Sequence, residues 1–138
     1  MKQTFMNKWI AAAALLLCQS PASAHDMHRP TAESGCTGVA LSCATKVTPA
    51  FGPDGKLWIA MLAGGKVAVA ASTDGGRNFT KPVAVTDQKL DMDWGPDARP
   101  KIVIDKHGDL IVAFSTFRDK AFNGEVFTTR STDGGQTF

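Results

Sequence analysis

Histidines near the beginning of the chain have the type and spacing needed to bind copper. If an export signal is cleaved after Ala24, the mature chain begins with His25, and His28 follows three residues later. A terminal amine and an imidazole together chelate Cu(II), and a second imidazole can supply a third nitrogen. The alternative is a polar tail that begins with histidine and holds no metal. Nothing else in the sequence supports the copper site, and we predict no cofactor.

Clustered carboxylates in the connector at residues 87–97 are a second group that could hold a cation. Their spacing is not that of a calcium-binding EF-hand loop, and a solvated loop explains them better. Trp94 lies among them. Its ring could stack on a sugar or cap the hydrophobic core, and packing on the core is the favoured interpretation. The aspartates concerned are Asp87, Asp91, Asp93 and Asp97.

Residues 1–24 have the layout of an export signal. Two lysines precede a short apolar run, and an Ala-Ser-Ala sequence at 22–24 is typical of a cleavage site. The apolar run is too short to span a membrane. A lipoprotein signal would use Cys18, but the bulky Leu17 before it disfavours that alternative. We therefore predict an exported product, periplasmic or secreted, with no transmembrane segment after cleavage.

Cys36 and Cys43 bracket a short loop in the N-terminal segment, residues 25–48. In an exported protein a disulfide between two such cysteines is the default, and it constrains the unfolded chain by about 2–3 kcal/mol. Reactive thiols are the alternative, although the sequence has no Cys-x-x-Cys motif.

The charge balance bears on the class of partner. The whole chain has a formal net charge of +2, and the signal peptide contains two lysines and no acidic residue, so the mature chain is neutral. Proteins that bind nucleic acids need a basic surface. We therefore predict no nucleic-acid partner.

An eight-residue segment occurs twice in the sequence, and we call each copy the phrase; the two copies divide the rest of the chain into two similar units. Residues 72–79 read Ser-Thr-Asp-Gly-Gly-Arg-Asn-Phe, and residues 131–138 read Ser-Thr-Asp-Gly-Gly-Gln-Thr-Phe. Asp-Gly-Gly is a strong hairpin signal, because glycine adopts positive φ without a steric penalty. The Asp and Ser side chains can bond to the turn backbone, and the Phe can anchor the turn by burial. The phrase predicts structural roles for Ser72, Asp74, Gly76, Phe79, Ser131, Asp133, Gly135 and Phe138.

Short strands separated by glycine-rich turns surround the two phrases. In the first unit, which begins near Thr48, an apolar run at 56–62 indicates a strand buried on both faces. Strands at 66–71 and 79–85 follow, the last one at a sheet edge because it contains Pro82. Four strands in a meander form a unit of the kind stacked in β-propellers.

The second unit aligns with the first through Gly55 and Gly108, and it is longer. From the aligned glycine to the serine of the phrase is 17 residues in the first unit and 23 in the second. The six extra residues fall in the loop at 117–124. Loops that grow in one repeat of an array often carry function.

The phrase resembles the Asp-box, or BNR repeat, of sialidase-like proteins, whose pattern is Ser-x-Asp-x-Gly-x-Thr-Trp/Phe. The resemblance covers residues 49–138 and implies an all-β fold, a β-propeller of four-stranded antiparallel blades, with each Asp-box between the third and fourth strands. About two blades fit this length, and the second lacks a last strand. Since propellers close with about four to eight blades, we expect the chain to be C-terminally incomplete. Several chains assembled into one ring are the alternative.

The same resemblance assigns roles to charged residues of the second unit. Sialidases have an arginine early in a blade, a Gly-x-Leu-Leu-Ala-Phe strand and a second arginine, which are similar to Arg99, residues 108–114 and Arg118. The resemblance implies that Arg99 binds the substrate carboxylate, as planar guanidinium groups do through paired hydrogen bonds, and that Arg118 binds substrate near the same pocket. It offers Asp119 as the acid/base. The alternative, slightly favoured, is a pair of surface arginines over a blade edge, and His107 is interpreted as a turn residue.

The function implied by the resemblance is that of an exported glycoside hydrolase acting on terminal sialic acids of glycans. The alternative is a non-catalytic propeller that binds a glycan or a protein of the cell envelope. The chain has no tyrosine, the residue that serves sialidases as nucleophile, so we expect these 138 residues alone to be inactive. A Tyr–Glu pair and further arginines in later blades would favour the enzyme.

Overall fold

The structure is a computed structural model that describes residues 36–93, 95 and 97–138. The predicted signal peptide, His25, His28 and Trp94 lie outside the described residues. The fold is all-β, as predicted, and its strands form two antiparallel sheets. The first sheet contains β1 (Thr45–Phe51), β2 (Leu57–Ala63), β3 (Lys66–Ser72) and β4 (Val83–Ala84). The second contains β5 (Lys101–Ile104), β6 (Leu110–Phe117) and β7 (Gly124–Ser131).

Both sheets are simple meanders in which each strand pairs with the next in sequence. Their registers match, because Leu57 pairs with Ser72 in the first sheet and Leu110 pairs with Ser131 in the second. Gly55 and Gly108 occupy the equivalent turn, with φ of 75° and 88°. The two units aligned by sequence are therefore the same structural unit.

Strand β4 is shorter than the sequence predicts. Thr80 bonds to Ala71 through both its backbone amide and its side-chain hydroxyl. Pro82 then has no amide hydrogen to donate, and strand pairing resumes only at Val83. The segment from residue 79 onward follows β3 as expected, but only two of its residues form a strand.

The hydrophobic core lies between the two sheets. Strand β6 alternates strictly, so that Leu110, Val112 and Phe114 are buried while the residues between them are more exposed. These side chains pack against the first sheet, where the contributing residues are Trp58, Ala60, Leu62, Val67, Val69 and Ala71. Burial of each large side chain stabilises the fold by about 1.5–3 kcal/mol.

The opposite face of the first sheet is also buried, as the continuous apolar run of β2 predicts. It packs under an N-terminal segment, residues 36–44, that contains a short 3₁₀-helix (Leu41–Cys43). Cys36 and Cys43 are joined by a disulfide in this segment. The buried residues of this face are Ile59, Met61, Ala63, Ala68 and Ala70.

The connector between the two sheets is only in part the solvated loop that its aspartates predict. Met92 is 1% exposed and belongs to the core between the sheets. The connector runs alongside the end of β6 here, since the amide of Phe117 donates to the Asp91 carbonyl and the amide of Asp93 donates to the Ser115 carbonyl. In the described part of the chain, no helix has the length and hydrophobicity needed to cross a membrane.

Candidate functional site

The first repeated segment, residues 72–79, resembles an Asp-box and is called the first Asp-box here, as residues 131–138 are called the second. It is a closed network of hydrogen bonds around one carboxylate. The Ser72 hydroxyl donates to Oδ1 of Asp74 at 2.7 Å and accepts from the Gly76 amide at 2.8 Å. The Asn78 amide donates to Oδ1 of Asp74, and the Asn78 side chain donates to its Oδ2. The Ser and Asp side chains thus make the contacts that hold the turn.

The second Asp-box repeats this network. The Ser131 hydroxyl donates to Asp133 at 2.7 Å and accepts from the Gly135 amide at 2.8 Å. Thr137 takes the place of the asparagine and donates to Asp133 from both its amide and its hydroxyl. The two turns are therefore built by the same bonds, and neither carboxylate is free to act on a substrate.

These bonds lower the pKa values of both carboxyls. The Asn78 amide, the Asn78 side chain and the Ser72 hydroxyl lower the pKa of Asp74 from 3.8 to about 2. The pKa of Asp133 is lowered further, first by the Thr137 hydroxyl and then by its amide. Both carboxylates are ionised at neutral pH, so neither can serve as a general acid.

We expect Asp74 to make stability depend on pH in acid. The folded pKa lies below the unfolded one, so the contribution is complete above about pH 4 and is lost as pH falls toward 2. Urea-denaturation midpoints measured between these pH values should fall steeply for the natural chain and less steeply for Asp74→Asn. The control is Asp97→Asn, at an exposed connector position, which should leave the slope unchanged. Equal slopes for the natural chain and Asp74→Asn would contradict this result.

The six-residue extension of the second unit forms the tip of the β6–β7 hairpin. Oδ1 of Asp119 accepts from the amides of Ala121 and Asn123, and its Oδ2 accepts from the Asn123 side chain at 2.8 Å. This pairing of an aspartate with the asparagine four residues later is the one seen between Asp74 and Asn78. Asp119 thus holds the tip in shape.

Phe122 is presented to solvent by this tip. It is 66% exposed and has a φ of 62°, a left-handed conformation that is strained for a bulky residue. Its ring meets the ring of Phe117 edge to face at 5.3 Å. Sequence reasoning did not single out Phe122, although its place in the extra residues of the longer loop was a usable signal.

The three charged residues assigned by the resemblance lie on two segments. Arg118 and Asp119 begin the hairpin tip, and Arg118 pairs with Glu125 at 3.9 Å on the surface. Arg99 is exposed and precedes β5. The pKa of Asp119 is lowered, chiefly by the Asn123 side chain, which opposes a role as proton donor.

An ion pair that sequence reasoning missed joins β7 to the turn before β6. The Arg130 guanidinium donates to Asp109 through Nε at 3.0 Å and to Asp105 at 3.1 Å. The amide of His107 donates to Asp105 in the same turn, so His107 is a turn residue. The Arg130 side chain is 53% exposed, and those of Asp105 and Asp109 are 26% and 18% exposed. Ion pairs with a solvent-exposed partner contribute about 0.2–1 kcal/mol.

Among residues 36–93, 95 and 97–138, no group of three or more His, Cys, Asp or Glu side chains is placed to hold a metal ion. In the connector, Oδ1 of Asp93 accepts from the Gly95 amide at 2.8 Å, a bond within the loop itself. Within the part of the chain that the structure describes, the hairpin tip is the best candidate for a functional surface.

No model of a known protein family matches the chain, and no curated protein matches it significantly. The likeness to Asp-box proteins therefore rests on the two phrases, their hydrogen bonds and the matched registers of the two sheets.

Proposed function

We propose that this chain is part of an exported, sialidase-like Asp-box β-propeller that binds acidic glycans and does not hydrolyse them. The propeller is supported by two like units that contain the same turn after the equivalent strand, and by the way they stack. The first unit packs with its Trp58 face, and the second with its Val112 face. These faces are not equivalent, so the units stack head to tail, as successive blades of a propeller do.

The main observation in support of glycan binding is the exposed aromatic ring at the tip of the β6–β7 hairpin. An aromatic ring that faces solvent offers an apolar surface for the face of a sugar. Phe122 is such a ring, and the ring of Phe117 packs against it edge to face. Asp119 fixes the loop, so little conformational entropy is lost when a ligand binds.

The acidic character of the ligand is inferred from Arg118 at the start of the same tip. Its side chain is 63% exposed, and its partner Glu125 lies at 3.9 Å, a loose surface pair. A sugar carboxylate can compete for this guanidinium through two hydrogen bonds. The hydrolase alternative needs a protonated carboxyl, and the lowered pKa of Asp119 disfavours it.

We expect Phe122→Ala to weaken binding of a sialic-acid-terminated trisaccharide by about tenfold or more, since aromatic anchors dominate binding energies. The measurement is an NMR titration of the purified chain with sialyllactose. The matched control is Phe51→Ala, because Phe51 is 69% exposed but lies at the end of β1, outside the tip. Neutral lactose should bind more weakly than sialyllactose.

Two results would contradict the proposal. Equal affinities of the natural chain and Phe122→Ala would remove the tip from the binding site. Release of the fluorophore from a fluorogenic sialoside by the natural chain, and not by Asp119→Asn, would establish the hydrolase alternative.

A further inference from the structure

An Asn-Gly pair, Asn123 and Gly124, lies where the hairpin tip joins β7, and both residues are exposed. In such a pair the backbone nitrogen of the glycine can attack the side-chain carbonyl carbon of the asparagine before it. Glycine favours this reaction, because it has no side chain to keep its backbone away from another group. The pair is therefore a candidate site for a covalent change within the tip.

The hairpin itself does not require a glycine at position 124. The φ of Gly124 lies outside the positive range that favours glycine, and its Cβ would lie 3.7 Å from the Thr116 carbonyl oxygen, an ordinary contact distance. The paired glycines of both Asp-box turns, in contrast, have positive φ. An alanine at position 124 is thus compatible with the hairpin, and it would shield the backbone nitrogen without changing the fold.

Asn78 provides an internal comparison for Asn123. Each of the two donates its backbone amide and its side-chain amide to the aspartate four residues earlier, and each is exposed. They differ in the residue that follows, which is Phe79 in the first unit and Gly124 in the second. The two asparagines therefore have the same hydrogen bonds, and only Asn123 has an unshielded nitrogen after it.

Asp119 restrains the group that reacts. Nδ2 of Asn123 donates to Oδ2 of Asp119 at 2.8 Å, and the Asn123 backbone amide donates to Oδ1 at 3.3 Å. Residues 118–124 are all exposed, and exposed hydrogen bonds at a loop tip open by local fluctuation, without global unfolding. A restrained side chain reacts less often than a free one, so Asp119 slows the attack by Gly124 but does not prevent it.

We propose that Asn123 deamidates spontaneously and that the reaction opens the hairpin tip. The Gly124 nitrogen bonds to Cγ of Asn123, the Cγ–Nδ2 bond breaks, and the Gly124 amide proton leaves with Nδ2 as ammonia. Water then opens the resulting five-membered imide at either carbonyl. The product is aspartate, or isoaspartate with an additional methylene in the main chain, and its carboxyl is ionised at neutral pH. Water is the one co-reactant, and the reaction does not depend on glycan binding.

The lost amide is part of what closes the tip. A carboxylate at position 123 has no hydrogen to donate to Asp119, and two carboxylates at this distance repel each other. The Asn123 carbonyl also accepts from the Arg118 amide at 2.8 Å, a bond that an additional methylene would displace. Phe122 has a strained φ of 62°, which persists only while its surroundings impose it. Deamidation therefore removes the restraints that hold the tip in this conformation.

The first experiment incubates the purified natural chain at mildly alkaline pH and follows both asparagines by peptide mass mapping and by the NMR signals of their side-chain amides. Asn123 should lose these signals at a rate that rises with hydroxide concentration, and Asn78 should keep them. The matched control is Gly124→Ala, in which Asn123 should react as slowly as Asn78. Asp119→Ala should accelerate the loss at Asn123, whereas Asp74→Ala should leave Asn78 intact because phenylalanine still follows it.

A second experiment tests the opening of the tip with Asn123→Asp, which reproduces the aspartate product. Hydrogen exchange of the Arg118 amide should accelerate in Asn123→Asp and in the incubated natural chain. Exchange of the Val112 amide, in the centre of β6, should stay unchanged. Lys120→Gln makes the same change in net charge at an exposed position of the tip and leaves the Asp119–Asn123 bonds in place. It should not accelerate exchange at Arg118.

Three results would overturn the proposal. If Asn123 keeps its amide while a free peptide of residues 119–126 loses the same amide, the folded tip is not a deamidation site. If Asn78 reacts as fast as Asn123, or if Gly124→Ala does not slow the loss, the unshielded glycine nitrogen is not the cause. If the Arg118 amide exchanges equally in Asn123→Asp, Lys120→Gln and the natural chain, deamidation does not open the tip.

Discussion

Gly135→Ala should destabilise the protein by about 2–5 kcal/mol, whereas Gly134→Ala should cost about 1–2 kcal/mol. Both glycines have positive φ, 81° and 71°, so an added methyl group strains the backbone at either position. Only at Gly135 does it also collide, since its Cβ would lie 2.9 Å from two ring atoms of Trp58. At Gly134 the Cβ meets nothing within 4 Å.

The collision cannot be relieved easily, because Trp58 is 7% exposed and packs in the core between the sheets. Overpacking at such a site costs about 1–3 kcal/mol beyond the backbone strain. Urea denaturation followed by circular dichroism measures both variants. The second Asp-box turn is thereby tested as a contact between the two units and not only as a local turn.

A double-mutant cycle identifies the partner. Trp58→Phe removes the two ring atoms nearest to the added methyl group, so Gly135→Ala should cost less in that background than in the natural chain. If the cost is the same in both backgrounds, or if Gly134→Ala is as harmful as Gly135→Ala, the collision with Trp58 is not the cause.

The parts of the fold that local chemistry determines could be predicted from the sequence. The Asp-Gly-Gly turns and the buried run of β2 are each specified by residues close together in the chain. The packing of Gly135 on Trp58 could not be predicted in this way. It depends on how two sheets stack, and no spacing within either unit specifies that.

The candidate site shows a different limit of prediction from sequence. The sequence identifies Arg118 and Asp119 as residues of the right chemical type, but type does not reveal which hydrogen bonds a carboxylate already accepts. Asp119 accepts from Asn123, four residues later, as Asp74 accepts from Asn78 in the first Asp-box. That spacing was present in the sequence and was a usable sign that Asp119 is a turn residue.

The connector shows a third limit of prediction from sequence. Its four aspartates indicate a solvated loop, although Met92 between them is buried in the core. We expect Met92→Ala to destabilise the protein by about 2–5 kcal/mol, the range for removing a large buried side chain. Met92 is 1% exposed and packs with Leu110 and other core residues. Gln88→Ala, at an exposed position of the same connector, should change stability by less than about 0.5 kcal/mol.

Hydrogen exchange at single amides distinguishes a local loss of the Met92 contact from a general loss of protein stability. Since Met92 holds the connector against β6, its removal should free the hydrogen bond that the Phe117 amide donates to the Asp91 carbonyl at 2.7 Å. Exchange of the Phe117 amide should then accelerate more in Met92→Ala than exchange of the Val112 amide, in the centre of the same strand. Equal acceleration at both amides, or no loss of stability, would show that the connector does not depend on Met92 and is the solvated loop that its aspartates predict.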